Sequence, residues 1–450
     1  MRIGEKLGDV SLRLGRVDEA IGVWSDCLDW HRGQEDLERV ADLHRRIGAA
    51  LSHKGERKTA IEHYQKGINL LKDGPPRIEL VRLYEEAAWL YLHTGDNMLA
   101  IYASEKALRL AERLDETRAA SRAHGIFGRV FGRIGDTQKA RENLERAVEL
   151  ARGSDDGETI LALSALGRQL EISEADVAGA RAAYEEALAL AEQVGMLPAQ
   201  VELHAWLAQL ASYTADWERV EQSTEASAAL AEREGLVGKL CLPYALRGLL
   251  RWREGRIGEA TVLFHRAHEL AEQVGWSEIA FQALFGLAFA LRDQGDLDGG
   301  TAALDQAIEV CERAGLIAQS IQATGARAVI LALAHRPKAA REAAAMTAQM
   351  AERLHYPLGR AAALEARGVS DEDPAAGAAL LAEAEEAWRA LDRPLEATRA
   401  RLLAGQVLLG HDDTRARELL AEAAAEGERL GVAHLAEKAR SAAATAERLH

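Results

Sequence analysis

The sequence is poor in cysteine and has no long apolar run, and each absence excludes a class of protein. Only three cysteines occur in 450 residues, Cys27, Cys241 and Cys311, and they lie far apart without a CxxC pair. This pattern predicts reduced thiols rather than a disulfide framework. No segment approaches the roughly eighteen consecutive apolar residues of a membrane span, and the N-terminus has no apolar signal core. The sequence therefore predicts a cytoplasmic protein that does not enter a membrane.

Proline and aromatic residues are also scarce. Eight prolines and 5% aromatics leave Ala, Leu, Val and Ile as the core residues, and segments rich in Ala, Leu, Glu and Arg are strong helix formers. No strand signal competes with them, so the sequence predicts an all-α fold. A net charge of −16 opposes binding to nucleic acid and to anionic membrane surfaces.

A forty-residue repeat runs through the chain. One glycine series marks a turn, an alanine series follows it by five residues, and a second glycine series marks another turn. The three series are Gly15, Gly55, Gly95, Gly135, Gly255 and Gly295; Ala20, Ala60, Ala100, Ala140, Ala180, Ala260 and Ala340; and Gly195, Gly235, Gly275 and Gly315. Self-similarity at a period of this length predicts a solenoid of stacked units, which offers a long surface for binding.

Each unit is predicted to consist of two antiparallel helices. The turn glycine ends the first helix, and an acidic residue that follows it caps a second helix of about seventeen residues. The predicted caps are Asp96, Asp136, Asp216 and Asp296. The alanine series and a small residue in each first helix mark where the two helices cross closely. These small residues are Gly8, Gly48, Ala88, Gly128, Ala208, Gly248, Ala288 and Ala328.

The period changes at two places. Around residues 167–180, Ala175 replaces the turn glycine and the first helix is one residue out of phase. Near residues 366–377 a polar, proline-bearing segment shortens one unit, which is typical of a hinge or boundary. We therefore predict a regular array of about nine repeats at residues 1–365, and phase-shifted last repeats with a C-terminal capping helix at residues 366–450.

The residues of the first unit resemble the tetratricopeptide repeat signature in order and spacing. They are Leu7, Gly8, Gly15, Arg16, Val17, Asp18, Glu19, Ala20, Trp24, Cys27 and Leu28, and Tyr64, Tyr184 and Phe264 take the place of Trp24 in later units. The resemblance covers roughly residues 1–435, about eleven units, and implies a right-handed superhelical solenoid. The unit is forty residues long rather than the family's thirty-four, and the closing proline is missing.

This longer variety is similar to the arrays of maltose-regulon-activator-type regulators, of bacterial STAND signal-transduction ATPases and of multidomain nucleotide cyclases. In those families such arrays serve in sensing or partner binding, and the resemblance implies the same kind of role here.

The motifs of common catalytic sites are missing. The chain contains no GxxxxGK[ST] loop, no GxSxG elbow, no HExxH pair and no DNA-binding helix-turn-helix. His44, His124 and His204 recur at one repeat position, but successive helices are ~8–10 Å apart, too far for imidazoles to converge on one ion. The sequence predicts no enzyme, no cofactor, no metal and no direct nucleic-acid partner.

The concave face carries the candidate ligand site. In the tetratricopeptide repeat family, ligands lie along the first helices, so the resemblance implies a set of aromatic and arginine residues at matching positions. The set is Arg82, Trp89, His93, Arg122, Arg129, Arg133, Tyr213, Trp252, Arg253, Phe285, Phe289 and Arg292, and Glu85 occupies one further matching position. Such residue types are enriched in binding hot spots and suit an acidic or amphipathic segment. The alternative is that the aromatic rings pack between helices and the arginines pair with nearby carboxylates.

The family's Lys/Asn carboxylate clamp is not matched, because Glu5, Asp9, Arg45 and Ala49 stand in those places. The leading hypothesis is a non-catalytic scaffold that binds a protein segment or peptide within a bacterial signalling or regulatory protein. The alternative is a small-molecule sensor arm of a STAND-type regulator or cyclase whose other domains lie outside this chain. Self-association is compatible with both.

Overall fold

The computed structural model describes residues 2–14 and 16–448. Gly15 of the predicted glycine series, and the last two residues of the predicted segment 366–450, lie outside these ranges.

Twenty-three α-helices form the described part of the chain. The first ten are α1 (Arg2–Arg13), α2 (Val17–Gly33), α3 (Leu37–His53), α4 (Arg57–Leu71), α5 (Ile78–Thr94), α6 (Asn97–Arg113), α7 (Thr117–Arg133), α8 (Thr137–Ala151), α9 (Asp156–Gln169) and α10 (Val177–Gln193). The others are α11 (Leu197–Tyr213), α12 (Trp217–Arg233), α13 (Cys241–Arg253), α14 (Ile257–Val274), α15 (Ser277–Gln294), α16 (Leu297–Ala314), α17 (Ile317–Leu333), α18 (Pro337–Arg353), α19 (Pro357–Ser370), α20 (Pro374–Ala390), α21 (Pro394–Leu408), α22 (Asp413–Arg429) and α23 (Ala433–Arg448).

Odd-numbered and even-numbered helices from α1 to α22 form eleven successive pairs, and α23 follows as a C-terminal cap. We call the odd-numbered member of each pair the first helix and the even-numbered member the second helix. Residues 2–14 and 16–448 contain no strand, and none of their helices is long and apolar enough to cross a membrane. The prediction of an all-α solenoid of about eleven helix pairs with a cap is confirmed.

The forty-residue spacing of the turns is a property of the backbone. The described glycines of the first series, Gly55, Gly95, Gly135, Gly255 and Gly295, all have positive φ. Where glycine is absent, Ala175, Ala215 and His335 take the same left-handed conformation with φ between 56° and 58°. Because this conformation costs an L-residue roughly 1–2 kcal/mol, packing of the helix pair must hold the turn in place.

The close crossing of each pair places a small residue of the first helix against a large residue of the second. A Cβ atom on Gly8 would lie 2.3 Å from Nε1 of Trp24, and one on Gly48 would lie 2.5 Å from Cε1 of Tyr64. Both aromatic side chains are almost fully buried, and Ala100 of the alanine series has no exposed surface. The predicted crossing positions are therefore confirmed.

Near residues 167–180 the first helix is out of phase by one residue, and a π-helical segment accommodates the extra residue. Gly167 lies one position early in the repeat and faces Tyr184, whose Cε1 would be 2.4 Å from an added Cβ. The π segment Leu170–Glu174 then follows α9, and Ala175 occupies the turn position. The wider π turn restores the phase of the array and places Glu171 in the interior, where it is 1% exposed.

The predicted N-caps form in part. The carboxylates of Asp216 and Asp296 accept hydrogen bonds from the backbone N–H groups of Arg219 and Gly299. Asp96 was expected to do the same, but its carboxylate accepts from the Thr94 hydroxyl instead, at 3.1 Å.

The described residues form two compact units. Unit 1 comprises the described residues up to Gly132 together with Gln138–Ala165, and unit 2 comprises Arg133–Thr137 and the described residues from Leu166 onward. The predicted boundary between residues 365 and 366 lies inside unit 2 and stays a prediction. Close to it, α19 and α20 approach each other, since a Cβ on Gly368 of α19 would lie 2.8 Å from the carbonyl oxygen of Gly377 in α20.

Within unit 2, the C-terminal helices return to α12, α13 and α15. We call this set of interactions the closure contact, and it consists of Trp217, Trp252, Asp293, Leu430, His434 and Lys438. The Trp217 indole N–H donates to the Leu430 carbonyl oxygen at 2.6 Å, and the Trp252 and His434 rings meet at 4.2 Å. Asp293 forms an ion pair with Lys438 and lies 3.4 Å from Nε2 of His434. The solenoid of unit 2 therefore closes upon itself.

Candidate functional site

The interior of unit 2 contains a cavity of about 290 Å³. Its wall is built by the first helices α11, α13, α15, α17, α19 and α21 and by the π segment, with single residues from α9, α14, α20 and α23. The second helices form the outer layer of the solenoid, so the first helices alone present extended faces to the interior. The cavity is a small, largely apolar chamber with a few charged groups, which is the usual composition of a ligand site.

A ladder of aromatic rings on α15 forms the apolar side of the cavity. Phe281, Phe285 and Phe289 lie four residues apart on one helix face, with ring centroids separated by 5.4 and 5.0 Å. Leu246 of α13 and Val329 of α17 extend this surface. Offset and edge-on rings at these distances attract one another, so the ladder is a preformed apolar surface.

Glu171 of the π segment anchors a polar network on another side of the cavity. Its carboxylate accepts hydrogen bonds from Arg168 at 2.7 Å, from the Tyr184 hydroxyl at 2.9 Å and from the Tyr213 hydroxyl at 2.8 Å. Burial and the negative charge of Glu171 raise the pKa of Tyr213 well above its ordinary value. Arg168 also reaches Glu278 at 3.2 Å, so its positive charge is neutralised.

Two further guanidinium groups of the wall are also paired. Arg399 donates two hydrogen bonds to Glu365, both at 2.9 Å, and the Trp388 indole N–H donates to the same carboxylate at 3.0 Å. Arg292 pairs with Asp293 of the closure contact at 2.8 Å. These buried pairs satisfy their own charges, as stable buried ion pairs must.

Arg393 differs from the other three arginines of the wall. It directly precedes α21 and is 3% exposed, and its guanidinium lies 3.3 Å from the centroid of the Tyr213 ring. Its Nη1 atom is buried without a hydrogen-bond partner. No carboxylate of the described residues lies within 4.0 Å of it, whereas Arg168, Arg292 and Arg399 all have one. The cavity therefore contains a buried positive charge without a counter-ion.

The structure brings five of the predicted site residues to this cavity. They are Tyr213, Trp252, Phe285, Phe289 and Arg292. Arg253 does not line it, since its side chain lies with the guanidinium 5.3 Å from the Trp217 ring centroid. Of the five, Tyr213, Trp252 and Arg292 also contact other side chains of the same chain. These three residues therefore pack within the protein and line the cavity at the same time.

A second group of predicted residues comes together on the first helices of unit 1. Trp89 is 44% exposed, its ring lies 4.4 Å from the His93 ring, and the Arg129 guanidinium lies 4.8 Å from its centroid. The His93 Nδ1–H donates to the Trp89 carbonyl oxygen at 2.8 Å. This is an aromatic–cation cluster on α5 and α7 with an exposed indole.

The other predicted arginines of the N-terminal repeats lie outside both groups. Arg82 pairs with Glu79 at 2.7 Å and Arg122 with Glu158 at 2.8 Å, which is the alternative that the sequence left open. Arg133 is the last residue of α7.

The positions of the family's carboxylate clamp are occupied by ion pairs in unit 1. Asp9 accepts from Arg46 at 2.8 Å, and Arg45 donates to Asp42. Glu5 is buried and lies 3.0 Å from Nε2 of His31.

Sequence reasoning predicted Arg292 but missed five other charged residues of the cavity. Arg168, Glu171 and Glu365 lie at or next to the two places where the forty-residue period changes, and Arg393 and Arg399 follow the second of them. Counting positions from a fixed period cannot place residues beyond an insertion or deletion. The phase changes themselves were the available signal, because π insertions are frequent at functional sites.

His44, His63 and the three cysteines are used in packing. His44 and His63 lie 3.1 Å apart between their Nδ1 atoms, and burial together with His63 lowers the pKa of His44 to about 4. All three cysteines are buried and form no disulfide, and Cys27 fills the core position predicted for it. The described residues contain no group of three or more His, Cys, Asp or Glu side chains placed to hold a metal ion.

Comparison with known families identifies the repeat. A tetratricopeptide repeat family profile matches residues 79–153, which span helices α5 to α8. The other helix pairs repeat the same crossing and turn geometry, so the fold of the chain is similar to that of a tetratricopeptide repeat array. A comparison with curated proteins gave no match.

Several solved structures have a similar fold. Aspartyl phosphate phosphatase F from Bacillus subtilis is 14% identical, with 62% of this chain and 73% of that chain covered and a TM-score of 0.52. The apo form of RapI is 13% identical, with 61% and 98% covered and a TM-score of 0.51. A Rap protein complexed with competence and sporulation factor is 12% identical, with 83% and 99% covered and a TM-score of 0.53. At these identities the likeness concerns the fold.

Proposed function

We propose that this protein is a non-catalytic tetratricopeptide repeat scaffold that binds a protein segment or peptide on the inner face of unit 2. The observation that carries the proposal is the cavity walled by first helices, which combines an aromatic ladder with an unpaired buried arginine. Aromatic and arginine anchors in a desolvated pocket are typical of binding hot spots. One of the structures with a similar fold, the Rap protein, was solved in complex with a factor, which agrees with a binding role.

The size of the cavity refines this proposal. At about 290 Å³ it has room for a few residues. We infer that the end of a peptide enters the cavity. The same size favours a second candidate, a small-molecule sensor within a larger signalling or regulatory protein, because small-ligand pockets begin near ~300 Å³. For either role we place the protein in the cytoplasm, in keeping with three cysteines that form no disulfide.

A peptide selection followed by calorimetry tests the leading proposal. Peptides are selected from a random displayed library against the whole chain, and their dissociation constants are measured for wild type and for Ala326→Trp. Ala326 is half-buried in α17 and lines the cavity, so an indole at this position fills it. We expect binding to weaken by about tenfold or more, equivalent to the loss of ~1.4 kcal/mol.

The matched control is Ala302→Trp, which places the same side chain on the exposed face of the second helix α16. It should bind like wild type. Equal binding by all three proteins would place the ligand elsewhere. Failure to select any peptide, with binding of small molecules retained, would favour the sensor candidate.

A further inference from the structure

We propose that the cavity recognises a carboxylate, and that Arg393 is the residue that binds it. This inference rests on the proposed function of unit 2 and names the chemistry of its ligand. A buried guanidinium without a counter-ion is costly, because the protein removes it from water without replacing its hydrogen bonds. Arg393 is in that situation: it is 3% exposed, its Nη1 atom has no partner, and it faces the cavity.

The surroundings of Arg393 hold it ready for a ligand. The face of the Tyr213 ring lies against the guanidinium and partly stabilises its charge by a cation–π interaction. Tyr213 is itself fixed by its hydrogen bond to Glu171 at 2.8 Å. A planar guanidinium held in this way presents its N–H groups in a fork that matches a carboxylate, the strongest arrangement of this hydrogen bond.

Glu396 is a second buried group without a hydrogen-bond partner, and it indicates which group of the ligand lies beside the ligand's carboxylate. Glu396 lines the same cavity, and its Oε2 atom is buried without a hydrogen-bond partner. Among the described residues, the other three carboxylates of the wall, Glu171, Glu278 and Glu365, are in ion pairs. Arg393 and Glu396 lie three residues apart at the start of α21. Together they complement a ligand that offers both a carboxylate and an N–H donor.

The apolar ladder on α15 indicates that the ligand also has an apolar side chain. A carboxylate, a neighbouring N–H group and an apolar side chain occur together in the C-terminal residue of a peptide and in a free N-acyl amino acid. The two sources share their chemistry, and the experiment below separates them. This site is distinct from the carboxylate clamp, whose positions in unit 1 are occupied by ion pairs.

The experiment compares acids with their amides. The probes are acetyl-Leu-Leu-Phe with a free C-terminal carboxylate, the same peptide as its C-terminal amide, N-acetylphenylalanine, and N-acetylphenylalaninamide. Dissociation constants are measured by calorimetry at pH 7 on the whole chain. We expect at least one acid to bind wild type about tenfold tighter than its amide, as one hydrogen-bonded charge pair supplies. If only the peptide binds more tightly as the acid than as the amide, the ligand is a protein C-terminus. If N-acetylphenylalanine shows the same preference over its amide, the ligand is a small molecule.

Arg393→Gln should abolish the preference, so that acid and amide bind within about twofold of each other. Arg393→Lys keeps the charge but loses the fork, and should retain an intermediate preference even if the Gln variant folds poorly. The control is Arg336→Gln, which changes the same Arg-Pro dipeptide before α18, where the arginine is exposed and pairs with Asp298. It should behave as wild type.

Two results would overturn the inference: no difference between acid and amide at millimolar concentration in wild type, or a preference that survives in Arg393→Gln. If library peptides still bind and remain sensitive to Ala326→Trp, the proposed function stands while the carboxylate assignment fails. If the acids bind through Arg393 but no library peptide does, the carboxylate assignment stands and the peptide proposal fails.

Discussion

Glu85 illustrates how a single buried charge can tune the stability of unit 1. Its side chain is 11% exposed, and its Oε1 atom has no hydrogen-bond partner. Burial raises the pKa of Glu85 to about 7, against the opposing effect of Arg122, and the nearby Glu158 and Glu86 add to the rise. Arg118, like Arg122, lowers the pKa of Glu85. The folded protein therefore prefers the protonated form of this carboxyl group.

Glu85→Gln should therefore stabilise the protein at high pH. A raised pKa contributes stability that is present below the ordinary value of 4.5 and lost as the pH rises through about 7. At pH 8 the variant should have a higher melting temperature than wild type, and its free energy of unfolding should be larger by at most roughly 3 kcal/mol. Near pH 5 the two proteins should be equally stable. Thermal melts across this range measure the difference. The control is Glu105→Gln on the exposed side of α6, and a difference that does not change with pH would contradict the account.

Ala100→Leu tests the crossing geometry. Ala100 has no exposed surface at the crossing of α5 and α6, so a branched side chain must push the helices apart. Overpacking of this kind typically costs about 1–3 kcal/mol. A denaturant titration should show that loss, whereas Ala302→Leu on the exposed face of α16 should leave stability unchanged. An unaltered midpoint for Ala100→Leu would mean that the helices do not cross at this residue.

At the scale of helices and turns, the sequence predicted the array well because its signals are local. Glycine and alanine at fixed intervals report directly where backbones come close and where helices end. The left-handed turns at Ala175, Ala215 and His335 lack the glycine signal, and there packing imposes the conformation on ordinary residues. The π segment at Leu170–Glu174 was visible only as a phase error, because its cause is a register adjustment between α9 and the turn.

The return of α23 to α13 and α15 could not be predicted, because it depends on the accumulated rotation of every repeat in unit 2. Asp293 is the centre of this closure contact. Burial would raise the pKa of Asp293, but Arg292, His434 and Lys438 lower it well below its ordinary value. The ionised carboxylate therefore stabilises the closed form.

Asp293→Asn should loosen α23. The variant leaves Arg292 and Lys438 without their shared counter-ion, and breaking a buried pair in this way typically costs about 3–5 kcal/mol. We expect faster amide hydrogen exchange in α23 and a lower melting temperature. Because a lowered pKa stabilises only above the ordinary value of 3.8, the difference from wild type should shrink as the pH falls below it.

Asp298→Asn is the control for this prediction, since Asp298 is 76% exposed and pairs with Arg336 on the surface. Unchanged exchange in α23 of Asp293→Asn would show that the closure contact does not depend on this carboxylate.

At the scale of the whole molecule, the sequence predicted which helices line the interior but not which of them meet there. Counting repeat positions identified the first helices, and Tyr213, Trp252, Phe285, Phe289 and Arg292 do line the cavity of unit 2. Closure brings the start of α21 onto α11, as the contact of Arg393 with Tyr213 shows.

The same closure explains why the residues with unsatisfied groups escaped notice. Arg393 and Glu396 lie in α21 and its preceding turn, beyond the shortened repeat, where a fixed count of forty no longer applies. Their importance follows from burial without a partner, which only the folded arrangement reveals.

Hydrogen–deuterium exchange with a library-selected peptide tests most directly whether the inner face of unit 2 is the ligand site. We expect slower exchange on binding in α11, α13, α15, α17 and α21, whose side chains line the cavity. Exchange in the second helices α12, α14, α16 and α18 should remain as in the free protein. Protection confined to the second helices or to unit 1, with α15 and α21 unaffected, would contradict the account.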